Sequence, residues 1–157
     1  MLANTERNNN KLSSLKELTA VYFENYLVTS IKLISREREN YFGTFIDGKF
    51  KESLEAKIVL KSWQEIPSNF NNCSLGNFGV TQNDFIGILK IDTTITEETS
   101  TKYIPTIVGG FKSRSTKLLN QLHGKHSRVF WENGYIENPI QNLNDLSEIL
   151  NSISSHR

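Results

Sequence analysis

A single cysteine, Cys73, excludes any disulfide within the chain and leaves nothing that points to an oxidising compartment. No apolar run approaches the roughly 20 residues that span a bilayer, so membrane insertion is not expected. The opening stretch MLANTERNNNKLSS lacks the apolar core of a secretory signal. Rich in Asn and Ser, it is expected to be a disordered tail over residues 1–16. These absences make the cytoplasm the default location. Glycine-rich phosphate loops are missing as well, and the histidines offer one close pair, His123 and His126. Gly124 between them predicts a helix end, and zinc would want four ligands where no third is near. The pair therefore reads as two surface histidines of a basic loop. Cys73 has no base beside it in sequence, which argues against a nucleophilic role. No cofactor and no metal is expected.

What is present suits one soluble domain. The chain has 157 residues, 37% apolar and 22% charged, enough for a single core over 17–157 and too few for two comfortable domains. A net charge of +1 names no partner taken whole, but the charge is unevenly placed. Phe111 to Val129 carries Lys112, Arg114, Lys117, Lys125 and Arg128 with no acid. Trp131 to Ile149 carries Glu132, Glu137, Asp145 and Glu148 with no base. A basic stripe of this kind either binds a polyanion or is simply a solvated helix face and loop.

Periodicity orders the elements. YFENYLVTSIKL over 22–33 alternates as a strand, with Leu27, Thr29, Ile31 and Leu33 on one face. Asp47-Gly48 between aromatic-rich runs predicts a hairpin. Leu54 to Ile66 has helical spacing, with Ser53 as N-cap and Pro67 as the stop. Strands follow near 75–81 and 85–91, then an exposed loop, TTITEETSTK. Ile104, Ile107, Val108, Phe111, Ser115, Leu118 and Leu122 mark a second helix, opened by Pro105 and ended by Gly124. Gly109-Gly110 within it predicts close packing or a close backbone approach. A short extended piece over 128–131, a turn at Asn133-Gly134 and a last helix over 143–152 complete the series. The order predicts an α+β fold: a ferredoxin-like α/β sandwich, its sheet mostly antiparallel and its helices packed on one face.

Five stretches in this order resemble the REP-associated tyrosine transposases, within the single-tyrosine HUH transposase group. They are YLVTSIK, FGTFIDGKFK, AKIVLKSWQEIPSNFNNCSLGNFGV, TIVGGFKSRSTKLLNQL and FWENGYIENPI, and the resemblance runs from about Tyr22 to Ile149. It implies a ferredoxin-like fold that binds single-stranded or hairpin DNA. It also implies a divalent metal held by a His-apolar-His pair on a central strand, and a tyrosine that attacks the scissile phosphate. The family motif Pro-Asn-His-apolar-His-Gly is matched here by Gln82, Asn83, Asp84, Phe85, Ile86 and Gly87. Both histidines are replaced, by Asp84 and Ile86. Asp84 could still offer an oxygen ligand, but Ile86 has no lone pair to donate. In the tyrosine segment the nucleophile position falls on Ile136 and the nearby imidazole position on Asn138. A one-residue shift would bring Tyr135 into the nucleophile slot, with the metal site still missing. Tyr135 otherwise reads as a core aromatic beside Trp131.

The resemblance thus implies a transposase-like domain that has lost cleavage and is not an enzyme. In the family the helix matching 104–122 lies close to bound DNA, which favours a DNA-binding role for Lys112, Arg114, Lys117, Lys125 and Arg128. The family's basic tail after the last helix has no counterpart in SISSHR, which weakens the case for sequence-specific recognition. The other expectation is a protein-interaction module, a subunit or adaptor that meets its partner through the face around Asp84, Ile86 and Ile136.

Overall fold

The computed structural model of the chain describes residues 23–94 and 103–155. The tail expected over 1–16 and most of the loop expected over 93–102 lie outside them.

The centre is a pair of long antiparallel strands, β1 (Tyr26–Ile34) and β5 (Asp84–Asp92), in register from Tyr26 opposite Asp92 to Ile34 opposite Asp84. Strand β4 (Cys73–Val80) flanks β5 and β6 (Ile136–Pro139) flanks β1, both antiparallel, giving the order β4-β5-β1-β6. The hairpin β2 (Gly43–Ile46) and β3 (Lys49–Glu52) forms a two-stranded sheet of its own. Asp47 and Gly48 both have positive φ, 51° and 77°, as the Asp-Gly turn requires. Setting the hairpin aside, the chain runs β1, α1 (Leu54–Gln64), β4, β5, α3 (Tyr103–His123), β6. That βαββαβ order with this sheet is the ferredoxin-like sandwich.

Strand alternation sends two apolar sets to two faces. Ile31, Leu33, Phe85, Leu89 and Ile91 pack with Ala56, Val59 and Trp63 of α1 and with Ile104, Ile107, Val108, Phe111 and Leu119 of α3. Trp63 is the hub, with ring centroids 4.8 Å from Phe85 and 5.2 Å from Phe111. Gly87 makes room for it, since a Cβ there would sit 2.5 Å from Trp63 Cζ2. On the other face, Val28 and Ile88 meet Ile140 and the apolar stripe Leu146, Ile149, Leu150 and Ile153 of α4 (Leu143–Ser155). The expectation of helices on one face therefore holds for α1 and α3, while α4 covers part of the opposite face. The second parity of β1 and β5 mixes Val28, Ile86 and Ile88 with Ser30, Lys32, Asp84 and Lys90, so only its apolar part needed cover.

Local chemistry accounts for most of the boundaries. Ser53 Oγ accepts from the Ala56 N–H at 3.1 Å and donates to the Tyr41 carbonyl at 2.6 Å, capping α1 and tying it to the hairpin root. Helix α1 stops at Gln64, and Pro67 enters the first turn of a short helix, α2 (Ile66–Asn69), instead of ending α1. Gly124 (φ 64°) ends α3 as expected: its N–H reaches the Gln121 carbonyl at 3.3 Å, and that of Lys125 reaches Asn120 at 2.8 Å.

Three expectations are corrected. Leu118 and Leu122 are exposed, because after Phe111 the buried positions step by four (Phe111, Ser115, Leu119) and the stripe rotates away from them. Gly109 and Gly110 mark no close backbone approach: a Cβ would meet nothing within 4 Å at Gly109, and only the Arg114 side chain, at 3.2 Å, at Gly110. The piece over 128–131 makes a single bridge, Trp131 to Ser35, and the edge strand lies beyond the Asn133-Gly134 turn, at β6.

Candidate nucleic-acid interface

The positions matched to the transposase chemistry lie on two strands that flank β1. Ile86 of β5 and Ile136 of β6 both stand opposite Lys32, Asp84 stands opposite Ile34, and Asn138 opposite Ser30. All four share the sheet face remote from α1 and α3. Lys32, central in that row, reaches Asp84 Oδ2 at 3.5 Å. Asp84 Oδ1 is buried without a partner. Ile86 is buried and Ile136 is 46% exposed. The turn before β5 is set by Thr81, whose Oγ1 accepts from the backbone N–H groups of Asn83 and Asp84. Among the described residues no group of three or more His, Cys, Asp or Glu side chains is placed to hold a metal ion. Tyr135 packs against the core beneath α1 and α3, on the other side of the sheet from Ile86. Burial, and secondarily the charge of Glu137, push its hydroxyl pKa up. Cys73 is likewise buried, its thiol pushed up to about 11 by burial.

The five basic residues are separated by the fold. Lys112 Nζ donates to the carbonyls of Glu132 at 2.8 Å and Gly134 at 3.0 Å, which pins the Asn133-Gly134 turn to α3. Burial holds its ammonium below the ordinary lysine range. Arg114 lies along the helix towards Gly110, with Nε and Nη2 buried and unpartnered. The other three converge. Lys117 from α3 and Lys125 and Arg128 from the loop after it line one cleft of about 440 Å³, together with Asn120, His126 and Thr116. No carboxylate lines it.

A clamp absent from the sequence reading shapes this cleft. The Asn120 side chain, 7% exposed, donates through Nδ2 to the Arg128 carbonyl at 3.1 Å and accepts through Oδ1 from the Arg128 N–H at 3.2 Å. One amide thereby fixes both backbone groups of Arg128. The Arg128 guanidinium then donates to Tyr41 Oη at 2.5 Å and lies 5.2 Å from the Tyr41 and 5.3 Å from the Phe130 ring centroid. A cation held over two aromatic rings is pre-oriented at little rotamer cost. The sequence stripe, drawn through Leu118 and Leu122, left Asn120 off the buried side of α3, so no sequence signal marked it.

A transposase and a protein assigned as one, both of known structure, share this fold. The REP-associated tyrosine transposase bound to a REP hairpin superposes with a TM-score of 0.58 at 10% identity, over 81% of this chain and 64% of that one. The chain thus spans a little under two thirds of that protein's length. A protein assigned as a transposase from Deinococcus radiodurans R1 superposes with a TM-score of 0.53 at 14% identity, over 84% of this chain and 92% of that one. No protein-family model and no curated protein sequence matches the chain. At such identities the likeness concerns the fold alone.

The two histidines expected in a basic loop part company. His126 lines the cleft. His123 does not sit in a surface loop as expected: it belongs to the last turn of α3, with Nε2 2.8 Å from Glu55 Oε1 and its ring against Phe130. It ties the end of α3 to the start of α1. Glu55 experiences burial, which raises its pKa, but hydrogen bonds from His123, its own backbone and Ser53 outweigh that and hold it below the ordinary carboxylate range. No helix among the described residues is long and apolar enough to cross a membrane.

Proposed function

We propose that this chain is a transposase-derived protein that binds single-stranded or hairpin DNA without cleaving it. The observation that carries the reading is the cleft in which Lys117, Lys125 and Arg128 meet with no acid among its lining residues. Phosphate oxygens are the ligands such a site suits, and a clamped guanidinium is the donor that recognises them best. The likeness to a transposase bound to a DNA hairpin supports the same ligand class. Lys112 is left out of this set, because its ammonium is spent on two carbonyls. Arg114 is left out as well, because it lies back along α3.

The absence of cleavage rests on side chains at the matched positions. Asp84, Ile86, Ile136 and Asn138 offer one carboxylate, already beside an ammonium, no imidazole and no hydroxyl nucleophile. The metal that the transposase chemistry would need finds no donor set there. An ammonium in the middle of the row would also oppose a divalent ion.

The test is fluorescence anisotropy with labelled single-stranded and hairpin oligonucleotides, beside a gel assay for a covalent adduct in magnesium or manganese. Binding that is lost on neutralising Lys117, Lys125 and Arg128, with no adduct, is the expected result. An adduct would overturn the inactive reading. A second reading, recruitment as a subunit of a protein complex, draws on the exposed Ile136 beside Lys32. A stoichiometric protein partner that survives nuclease, with no oligonucleotide bound, would favour it over DNA.

A further inference from the structure

The β2–β3 ribbon carries an aromatic that the core does not use. Phe45 and Phe50 stand directly opposite each other, with ring centroids 5.4 Å apart in an edge-to-face contact. Both rings project from the same face of the ribbon. Phe50 packs against the main core and fills the space left by Gly43, where a Cβ would lie 2.4 Å from the Phe50 ring. Phe45 lies beside it and is 52% exposed. Strand alternation places Thr44, Ile46, Lys49 and Lys51 on the other face of the ribbon, all exposed. A two-stranded ribbon is marginal by itself, and an exposed ring adds little to it. A ring braced at its side by a fixed neighbour is nevertheless a ready stacking surface.

The position of the ribbon makes that surface relevant. Its root is Tyr41, the residue that holds the Arg128 guanidinium at the cleft. The chain bends at Phe42, so Tyr41 and Phe45 are at most about 13 Å apart at roughly 3.3 Å per residue. At about 3.4 Å per nucleotide of a stacked strand, that separation is at most about four nucleotides. Lys49 and Lys51 add positive charge on the other face of the ribbon.

We propose that Phe45 is a base-stacking site for unpaired nucleotides of a single DNA strand whose phosphates lie in the Lys117–Lys125–Arg128 cleft. The inference rests on the DNA reading above and adds to it a ligand class, the unpaired base, and a place on the ribbon. Stacking on an exposed aromatic is tolerant of sequence, since every base has a π-face, and the lysines add only charge. The ribbon therefore favours single strands and loops over duplex, where the bases are already stacked.

The experiment uses the full chain and a 20-nucleotide oligothymidine, with an abasic oligonucleotide of the same length as the second ligand. Phe45→Ala is expected to weaken binding to oligothymidine by about 5- to 150-fold, the range for the loss of one stacked base. It is expected to leave binding to the abasic strand unchanged. Phe45→Trp is expected to keep the affinity and to lose fluorescence on binding, a clean signal because both native tryptophans, Trp63 and Trp131, are buried. An unchanged melting temperature for Phe45→Ala shows that the fold is intact. If wild type binds oligothymidine and Phe45→Ala binds it equally well, the stacking site is refuted while the cleft survives. If wild type binds no oligonucleotide, the DNA reading and the stacking site fall together, and the ring becomes a contact for protein.

Discussion

The salt dependence of DNA binding offers the sharpest check on which cations face the ligand. Each phosphate contact on a single strand contributes about 0.7 to the slope of log affinity against log salt concentration. Lys117, Lys125 and Arg128 give three contacts, so the slope expected for the cleft is about −2. Raising the salt roughly fourfold then weakens binding about 20-fold. Removing one of the three, as in Lys117→Ala or Lys125→Ala, reduces the slope to about −1.4 and the loss to roughly 7-fold. Lys112→Ala behaves differently. Its ammonium is held by the carbonyls of Glu132 and Gly134, so the slope stays near −2 while thermal stability falls. Loss of hydrogen bonds from a charged donor costs about 1.5–3 kcal/mol. Anisotropy titrations at four salt concentrations, with melting curves for each variant, separate the two behaviours. A slope that drops equally for Lys112→Ala and Lys117→Ala would refute the division of the basic residues drawn from the geometry.

Other outcomes follow from the core and the sheet face. Gly87→Ala would drive a methyl group to 2.5 Å from Trp63 Cζ2, so a destabilisation of at least about 1–3 kcal/mol is expected in urea denaturation. Writing two histidines into the sheet, Asp84→His with Ile86→His, is expected to bind cobalt or nickel weakly while Lys32 remains, because the ammonium faces the same row. Adding Lys32→Leu should raise that affinity at least about tenfold in calorimetry, and equal affinities would remove Lys32 from the site. Glu55, held below its ordinary value of 4.5 in the folded chain, contributes stability that is present above that value and is lost as pH falls through the folded one. Glu55→Gln should therefore flatten the acid limb of a stability–pH profile, and an unchanged limb would mean the His123 pair adds nothing.

The legible parts of the fold were those written in local chemistry. The Asp47-Gly48 turn, the Ser53 cap and the Gly124 stop each act within a few residues, and all three stand where the sequence puts them. The apolar alternation of β1 and β5 was legible too. It did not say that α4 takes the second face, because Val28 and Ile88 look the same whichever layer covers them. Strand β6 escaped notice because its four residues are exposed and end in a proline. For the site, composition found the basic stretch but could not assign its members. Lys112 and Lys117 are alike in sequence and opposite in use, and only the carbonyls of Glu132 and Gly134 distinguish them. Asn120 and Tyr41 were missed because each serves Arg128 across the chain, at separations of 8 and 87 residues.

The clamp by Asn120 has a kinetic consequence. It closes the loop between the end of α3 and Arg128 into a small ring, shut at one end by the Gly124 cap and at the other by two hydrogen bonds to a single amide. A ligand arriving there finds the Arg128 guanidinium already in position, so less ordering entropy is left to lose on docking. Association at this cleft is then governed by how often an oligonucleotide collides in a suitable orientation, and differences among DNA ligands appear chiefly in how long each one stays.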